Sequence, residues 1–239
     1  MQLDHEQKET YREQGYLVMP GLFPEQTVRE MTEHYMRRRE EGGKPGDMGG
    51  RSDDPNDPLN RYPRMINMHK WDERTGQWAQ NTALLSVVQQ LLDDRPRLHQ
   101  TMLYFKPPGA RGQGLHQDEQ YITIEPLLGA WLALDVTDAA NGQMVVVPGS
   151  HALGLLPIEA ADPSTSFTHG QTRMPAGAEE VGIDMQPGDV LLFDGKIIHG
   201  SHSNTTDNRF RRSFICHFIG EHARQFTPAK GQHMSHLNK

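Results

Sequence analysis

Two histidines, one aspartate and one arginine stand out in this sequence because their types and order suit metal chemistry. His116 and Asp118 lie two residues apart in the stretch GLHQDEQ, just before a run that predicts a buried strand. His199 comes far downstream, and Arg211 follows it in FRRS. A His-x-Asp pair alone says little, since chance supplies one in a chain with 13 histidines and 31 acidic residues. The pair indicates a metal site only together with His199 and Arg211, which follow it in this order.

Two imidazoles and one carboxylate on a rigid β scaffold form a facial triad, which holds Fe(II) and leaves other coordination positions open. The open positions suit a chelating 2-oxo acid and O2. A guanidinium group can then bind the distal carboxylate of 2-oxoglutarate in a dry pocket, because its forked N–H groups match the two carboxylate oxygens. We therefore expect His116, Asp118 and His199 to bind iron, and Arg211 to bind the cosubstrate.

The composition narrows the function classes. The chain has 239 residues, 35% of them hydrophobic, which allows a substantial core and favours one domain over residues 1–239. A formal charge of -7 argues against a nucleic-acid binder. The single cysteine, Cys216, excludes an internal disulfide and a cysteine-based zinc cluster. With no membrane span or signal core in the sequence, we expect a cytoplasmic protein.

Helices are predicted first along the chain and strands afterwards. Helical patterns cover residues 6–14, about 25–41 and about 81–93. Strands are predicted at 15–20, 100–106, 129–136, 143–147, 190–193, 196–199 and 211–219. This order predicts an antiparallel sandwich or barrel with helices on one outer face. The helical part spans about 1–98, the β core about 99–222 and a polar tail about 223–239.

The last predicted strand, RRSFICHFI, alternates in character. Because successive side chains point to opposite faces of a sheet, one face can pack beneath the helices. That face holds Arg212, Phe214, Cys216 and Phe218. The other face points into the barrel interior, where polar groups need partners. It holds Arg211, Ser213, Ile215 and His217, and we expect His217 to be a hydrogen-bonded core histidine and no metal ligand.

The motifs LHQD, AWLALD, NGQMVVVPGSH, PGDVLLFDGKIIHGSHSN and FRRS, in this order, resemble the phytanoyl-CoA dioxygenase family of Fe(II)- and 2-oxoglutarate-dependent oxygenases. The resemblance covers roughly residues 6–222. It implies a mainly β fold with a double-stranded β-helix (jelly-roll) core and N-terminal helices packed on one sheet. It also implies iron ligands at His116, Asp118 and His199, and a 2-oxoglutarate site formed by Arg211, Ser201, Trp131, Tyr104, Met102 and Ser213.

One departure from the family pattern concerns the arginine. By simple counting from the second histidine, the family's arginine falls at Phe210. Alignment on FRRS instead gives Arg211, after a one-residue insertion in NTTDN. Arg209 has the same strand parity and is the alternative, whereas Arg212 has the opposite parity and is expected at the surface.

The expected reaction is hydroxylation of an unactivated C–H bond, with 2-oxoglutarate and O2 converted to succinate and CO2. In related halogenases a small residue replaces the carboxylate, so Asp118 favours hydroxylation. The expected partner is a small metabolite or a natural-product intermediate, and phytanoyl-CoA itself is disfavoured because no basic cluster stands out for the CoA phosphates. The sequence leaves the oligomeric state open.

Loops and turns near the predicted barrel mouth are candidates for substrate recognition. The segments 42–62, 65–74 and 152–180 are candidate lids. The candidate substrate contacts are His69, Lys106, Glu119, Gln120 and Tyr121. Two other function classes stay open: a non-oxidative metal enzyme such as an isomerase or hydrolase, and a binding module that keeps the fold without turnover.

Overall fold

Two large antiparallel sheets, a third sheet of two strands and a layer of helices form the described part of this protein. The structure is a computed structural model that describes residues 1–42, 44, 46–48 and 55–234. The described helices are α1 (His5–Gln14), α2 (Glu25–Glu40), α3 (Pro58–Arg61), α4 (Glu73–Ala79) and α5 (Thr82–Leu92). The described strands are β1 (Tyr16–Met19), β2 (Asp47–Met48), β3 (Arg64–Ile66), β4 (Pro96–Tyr104), β5 (Gln113–His116), β6 (Ile124–Ala133), β7 (Met144–Val146), β8 (Ile158–Ala160), β9 (Gly170–Thr172), β10 (Val181–Ile183), β11 (Val190–Asp194), β12 (His199–Ser201) and β13 (Ser213–Gln225).

Local sequence signals set the ends of the helices. The side chain of Asp4 accepts a hydrogen bond from the Gln7 backbone, and the Gln7 side chain accepts one from the Asp4 backbone, which forms a capping box for α1. Gly15 ends that helix in the left-handed conformation. Asn81 caps α5 by accepting from two backbone N–H groups. The three predicted helices are confirmed, each within one residue of its predicted ends.

The two sheets face each other across an apolar interior. The larger sheet has the order β1-β11-β6-β13-β4-β3-β2, and the smaller one has the order β10-β7-β12-β5. One buried cluster joins them, with Trp131, Phe193 and Ile215 from the larger sheet and Met144 and Val146 from the smaller. The site described below opens from this interior.

Helices α2 and α5 cover the outer face of the larger sheet. Met31 and Tyr35 of α2 and Val88 of α5 are buried in one cluster with Phe214 and Phe218 of β13. The Tyr35 and Phe214 rings stack with their centroids 6.0 Å apart. Antiparallel sheets with helices on one face confirm the predicted mainly β fold with a jelly-roll core.

Two strand predictions were wrong in ways that matter for the site. Residues 196–198, predicted as strand, form a turn in which Ile197 N–H donates to the Asp194 carbonyl and Lys196 N–H donates to the Asp194 side chain. His199 therefore begins β12 and does not end a strand. The last strand begins at Ser213, so Arg211 precedes it, with its N–H bonded to the Lys106 carbonyl.

The predicted lid at 42–62 is only partly described. Asp47–Met48 pairs with β3, and Pro58–Arg61 forms a helical turn. Residues 43, 45 and 49–54 of that segment, and 235–239 of the predicted polar tail, lie outside the described residues. Within the described part of the chain, no helix combines the length and the apolar character needed to cross a membrane.

Candidate functional site

Pairing of β5 with β12 brings His116, Asp118 and His199 together. His116 ends β5, His199 begins β12, and the two residues lie directly opposite each other in the antiparallel pair. Asp118 opens the short 3-10 turn that follows β5. Its Oδ1 lies 3.4 Å from His116 Nε2 and 3.6 Å from His199 Nε2. All three side chains are buried, and one potential ligand atom from each lies within 4.8 Å of the others.

Hydrogen bonds turn the Nε2 atoms of both histidines toward Asp118, and the Gln113 amide also lies 3.1 Å from His116 Nε2. His116 Nδ1 lies 2.9 Å from the Gly114 carbonyl, and His199 Nδ1 lies 3.1 Å from the Ile197 carbonyl. A carbonyl only accepts, so each Nδ1 carries the proton and each Nε2 keeps its lone pair. Ligand histidines are oriented in this way in metalloproteins.

His217 holds the third ligand of the triad from the other side. Its Nε2 lies 2.8 Å from Asp118 Oδ2, which leaves Oδ1 turned toward the two histidines. His217 is buried on β13, and the prediction of a hydrogen-bonded core histidine is confirmed. Its partner, the Asp118 carboxylate, was not foreseen.

The protonation states also suit a divalent metal. Burial raises the Asp118 pKa, but the attraction of His199 and His217 and hydrogen bonds from the histidines outweigh burial and hold it well below the usual range. Burial, followed by repulsion from His116, lowers the His199 pKa to about 4. At neutral pH the carboxylate is ionised and the His199 imidazole is neutral, which are the forms that bind metals. The residues present therefore fit an Fe(II) ion.

A cavity of about 240 Å³ lies between the sheets and contains the triad in its wall. Of the six residues expected at the cosubstrate, five line it: Arg211, Ser201, Trp131, Tyr104 and Met102. Ser213 lies just behind and accepts a hydrogen bond from Arg211 Nη1 at 3.1 Å. The wall is otherwise largely apolar, including Ile66, Met144, Phe193 and Ile215.

Arg211 is a buried cation without an acidic partner among the described residues. Only 2% of it is exposed, its Nε donates to the Gly142 carbonyl at 3.1 Å, and its guanidinium lies 5.1 Å from the Trp131 ring centre. Burial lowers its pKa to about 10, which still leaves it charged at neutral pH. A buried charge needs a counter-charge, so an anionic ligand would stabilise this wall of the cavity.

The alternative arginines lie elsewhere. Arg209 makes a bidentate pair with Asp138, at 2.7 and 2.9 Å, and its side chain is 40% exposed. Arg212 pairs with Asp135 and also lies outside the cavity wall, although it is only partly exposed. Strand parity thus separated the cavity arginine correctly from its neighbour Arg212.

Only one of the five candidate substrate contacts, Tyr121, lines the cavity. His69 Nδ1 bonds to the Thr101 hydroxyl, and Glu119 faces Lys196 at 3.6 Å. Burial raises the Glu119 pKa to about 8. Gln120 donates to the Leu156 carbonyl and accepts from Thr172.

Lys106 occupies a different place from the one expected. Its Nζ donates to Ser201 Oγ at 2.9 Å and to the Gly142 carbonyl at 3.3 Å, and it also contacts the His202 carbonyl. Burial and then repulsion from Arg211 lower its pKa well below the usual value. Lys106 therefore stands behind Ser201, on the Arg211 side of the cavity.

Several cavity residues were missed in the sequence. Arg64 and Gln113 line the wall near Tyr104, and Thr168 comes from the predicted 152–180 lid segment. Arg64 belongs to a strand of only three residues, too short for a period to show. The alternation of Arg64 and Ile66 around the buried Met65 is the one signal that could have indicated it.

Known proteins share the sequence pattern and the fold of this chain. A model of the family described as "Phytanoyl-CoA dioxygenase (PhyH)" matches residues 11–213. A Mus musculus relative named "Phytanoyl-CoA dioxygenase, peroxisomal" is 28% identical over 229 residues, which cover 89% of this chain and 67% of the relative. A Caenorhabditis elegans "Probable phytanoyl-CoA dioxygenase" is 33% identical over 141 residues, which cover 55% of this chain and 45% of the relative.

A solved structure shares the fold over almost the whole chain. EvdO2 from Micromonospora carbonacea var. aurantiaca, crystallised with 2-oxoglutarate, has a TM-score of 0.77 at 22% identity and covers 97% of this chain and 96% of its own. At that identity the likeness shows the fold. The family match, which spans most of the sequence and includes the triad, shows that this chain belongs to the phytanoyl-CoA dioxygenase family of Fe(II)-, 2-oxoglutarate- and O2-dependent dioxygenases.

Proposed function

We propose that this enzyme hydroxylates an unactivated C–H bond of a small metabolite or natural-product intermediate. The reaction consumes one O2 and one 2-oxoglutarate and yields the alcohol, succinate and CO2, with Fe(II) supplying the redox chemistry. The observation that carries the proposal is the joint presence, in one cavity, of a His-Asp-His triad and the unpaired Arg211.

In this proposal His116, Asp118 and His199 hold the metal on one side of the cavity. The two backbone carbonyls that accept from the Nδ1 atoms fix both rings. His217 fixes the carboxylate through Oδ2. Three protein ligands leave the remaining positions open for a chelating cosubstrate and O2.

Arg211 binds the distal carboxylate of 2-oxoglutarate in the same proposal. Its guanidinium is held by the Gly142 carbonyl, Ser213 and the Trp131 ring, so little side-chain freedom is lost on binding. Ser201 offers a hydroxyl beside it, and Lys106 donates a hydrogen bond to that hydroxyl from behind. Tyr104 and Met102 also line the cavity. A non-oxidative metal enzyme has no use for this buried clamp, which disfavours that alternative.

The substrate class follows from the size and lining of the cavity. A largely apolar space of about 240 Å³ suits a small organic molecule near the metal. We do not favour phytanoyl-CoA, because the described residues show no cluster of cations arranged for the CoA phosphates. The cytoplasmic location stays a prediction.

The test is succinate formation from 2-oxoglutarate by enzyme reconstituted with Fe(II) without oxygen and then exposed to O2. We expect a visible charge-transfer band when 2-oxoglutarate binds the Fe(II) enzyme, and a substrate product with one added oxygen atom. The variant Asp118→Ala should lose both, whereas Asp162→Ala, at an exposed turn, should keep both. Absence of the band and of succinate in the unaltered enzyme would refute the proposal. Succinate with a product that contains no added oxygen would refute hydroxylation alone.

A further inference from the structure

Arg64 lies on the cavity wall next to Tyr104, to whose hydroxyl its Nη1 donates a hydrogen bond. Strand β3 pairs with β4, with Met65 opposite Leu103, so Met65 faces the helices while Arg64 and Ile66 face the cavity. The Arg64 guanidinium packs over the Phe167 ring at 4.9 Å and the Tyr104 ring at 5.4 Å. Contacts of this kind hold a cation in place without neutralising it.

Arg64 differs from the other partly buried arginines of the described residues in its lack of an acidic partner. Four others, with side chains 19–34% exposed, each have a carboxylate oxygen within 3.1 Å: Arg38 with Asp72, Arg39 with Asp47, Arg111 with Asp57 and Arg212 with Asp135. Arg64 and Arg211 both line the cavity, and neither has an acidic group within 4.0 Å in the described part of the chain.

Under the proposed function, the two cavity arginines would bind different carboxylates. A 2-oxoglutarate molecule has two carboxylates, which the metal and Arg211 would take under the proposed function. Among the described residues, Arg64 then has no acidic counter-charge within 4.0 Å. Within the described residues its single hydrogen bond goes from Nη1 to the Tyr104 hydroxyl, at 3.0 Å, out of five N–H groups that a guanidinium carries.

A short series of contacts links Arg64 to the metal triad. The Tyr104 hydroxyl donates to Gln113 Oε1 at 3.2 Å, and Gln113 Nε2 lies 3.1 Å from His116 Nε2. A molecule held at Arg64 therefore lies along the same wall as the triad. Apolar side chains, including Ile66 and Met102, line the same cavity beside these polar groups.

We propose that Arg64 anchors the substrate through a carboxylate, so that the enzyme acts on small monocarboxylic acids with an apolar or aromatic body. The guanidinium fork takes the carboxylate in bidentate fashion, Phe167 and Tyr104 hold the fork in plane, and the apolar body extends toward the triad. This proposal rests on the proposed function, since it assigns Arg211 to 2-oxoglutarate.

Binding of matched acids and amides tests the role of Arg64 without turnover. The probes are benzoate and cyclohexanecarboxylate against benzamide and cyclohexanecarboxamide, titrated calorimetrically into the Fe(II) enzyme saturated with 2-oxoglutarate under nitrogen. We expect each acid to bind at least about tenfold more tightly than its amide, as for a desolvated charge-assisted hydrogen bond. Arg64→Gln should abolish that preference, Arg64→Lys should retain part of it, and Arg209→Gln should leave it unchanged.

Three results would overturn the proposal: equal binding of acids and amides by the unaltered enzyme, a preference that survives Arg64→Gln, or a preference that Arg209→Gln also removes. Circular dichroism checks that each variant is folded, and Arg64→Lys supplies the measurement if Arg64→Gln is not. The two proposals fail separately. Succinate formation without an acid preference sinks only the role of Arg64, whereas an acid preference without succinate sinks only the oxygenase reaction.

Discussion

The two faces of β13 use the same backbone for different purposes. On the outer face, Phe214, Cys216 and Phe218 are almost completely buried against the helices. On the inner face, Ile215 and His217 line the cavity, and Arg211 lies just before the strand with the same parity. The outer face contributes buried apolar area, whereas the inner face keeps charges and hydrogen-bonding groups in a dry space. A pleated strand can do both because its side chains alternate.

The difference between the two faces of β13 predicts which substitutions should change stability and which should change activity. Substitutions on the outer face should change the free energy of unfolding, because they remove packing. Substitutions on the inner face should change binding of the metal or of 2-oxoglutarate, because the groups there lack protein partners or hold a ligand in place. The four predictions below test this division.

Phe214→Ala should have the largest effect. Phe214 is 1% exposed and stacks on Tyr35, so its truncation leaves a cavity under α2. We expect the free energy of unfolding to fall by about 3–5 kcal/mol, measured by urea denaturation. Ile215→Val on the opposite face removes a single carbon and should cost about 0.5–1.5 kcal/mol. Equal costs for the two variants would break the comparison.

Arg211→Gln should raise the KM for 2-oxoglutarate by roughly 10- to 100-fold. The reason is the loss of charge-assisted hydrogen bonds, each of about 1.5–3 kcal/mol. Arg209→Gln, which removes an exposed pair with Asp138, should leave that KM unchanged. Steady-state succinate formation measures both. If Arg209→Gln shows the large change and Arg211→Gln does not, the assignment of the cosubstrate arginine is wrong.

His217→Phe should weaken metal binding by about 10-fold, at the lower end of the range for partners that orient a metal ligand. The variant removes the donor to Asp118 Oδ2 and keeps a ring of similar size. His217→Gln, which retains an N–H donor, should recover part of the loss. Metal titration followed by calorimetry gives the affinities. If the two variants lose affinity equally, the hydrogen bond is not what orients Asp118.

The smallest effect concerns Cys216, whose thiol should not react with a labelling reagent in the native protein. Burial raises the pKa of its thiol, so near pH 8 it keeps its proton, while a free cysteine with a pKa of about 8.5 is partly ionised. A thiol-reactive reagent should label the native protein negligibly and the urea-unfolded protein completely. Rapid labelling of native protein would show that the outer face opens readily.

Residue types and order were enough to predict the triad and the parity of the last strand. His116, Asp118 and His199 lie where the facial-triad hypothesis required, and the alternation around Phe214 separated the two faces correctly. These predictions succeeded because they used a strict two-residue period and chemistry that few residue types can provide.

The substrate wall could not be predicted, because it depends on turns and on short strands. Glu119 and Gln120 follow Asp118 directly, yet neither lines the cavity. Gln120 makes buried hydrogen bonds, and Glu119 faces Lys196 at 3.6 Å. Lys106 lies just beyond β4 with a positive φ of 33°, and its side chain passes behind Ser201. Nearness in sequence to a predicted ligand was therefore a poor guide to nearness in space.

The arrangement of β13 has a consequence for how such an enzyme can diversify. Arg211, just before this strand, and His217, within it, place the proposed 2-oxoglutarate arginine and the support of Asp118 on one continuous piece of backbone. Arg64 and Thr168 come from β3 and from the segment before β9, outside that piece. New substrates can thus be acquired by exchanging peripheral segments while Arg211 and the support of Asp118 are kept together on one piece of backbone.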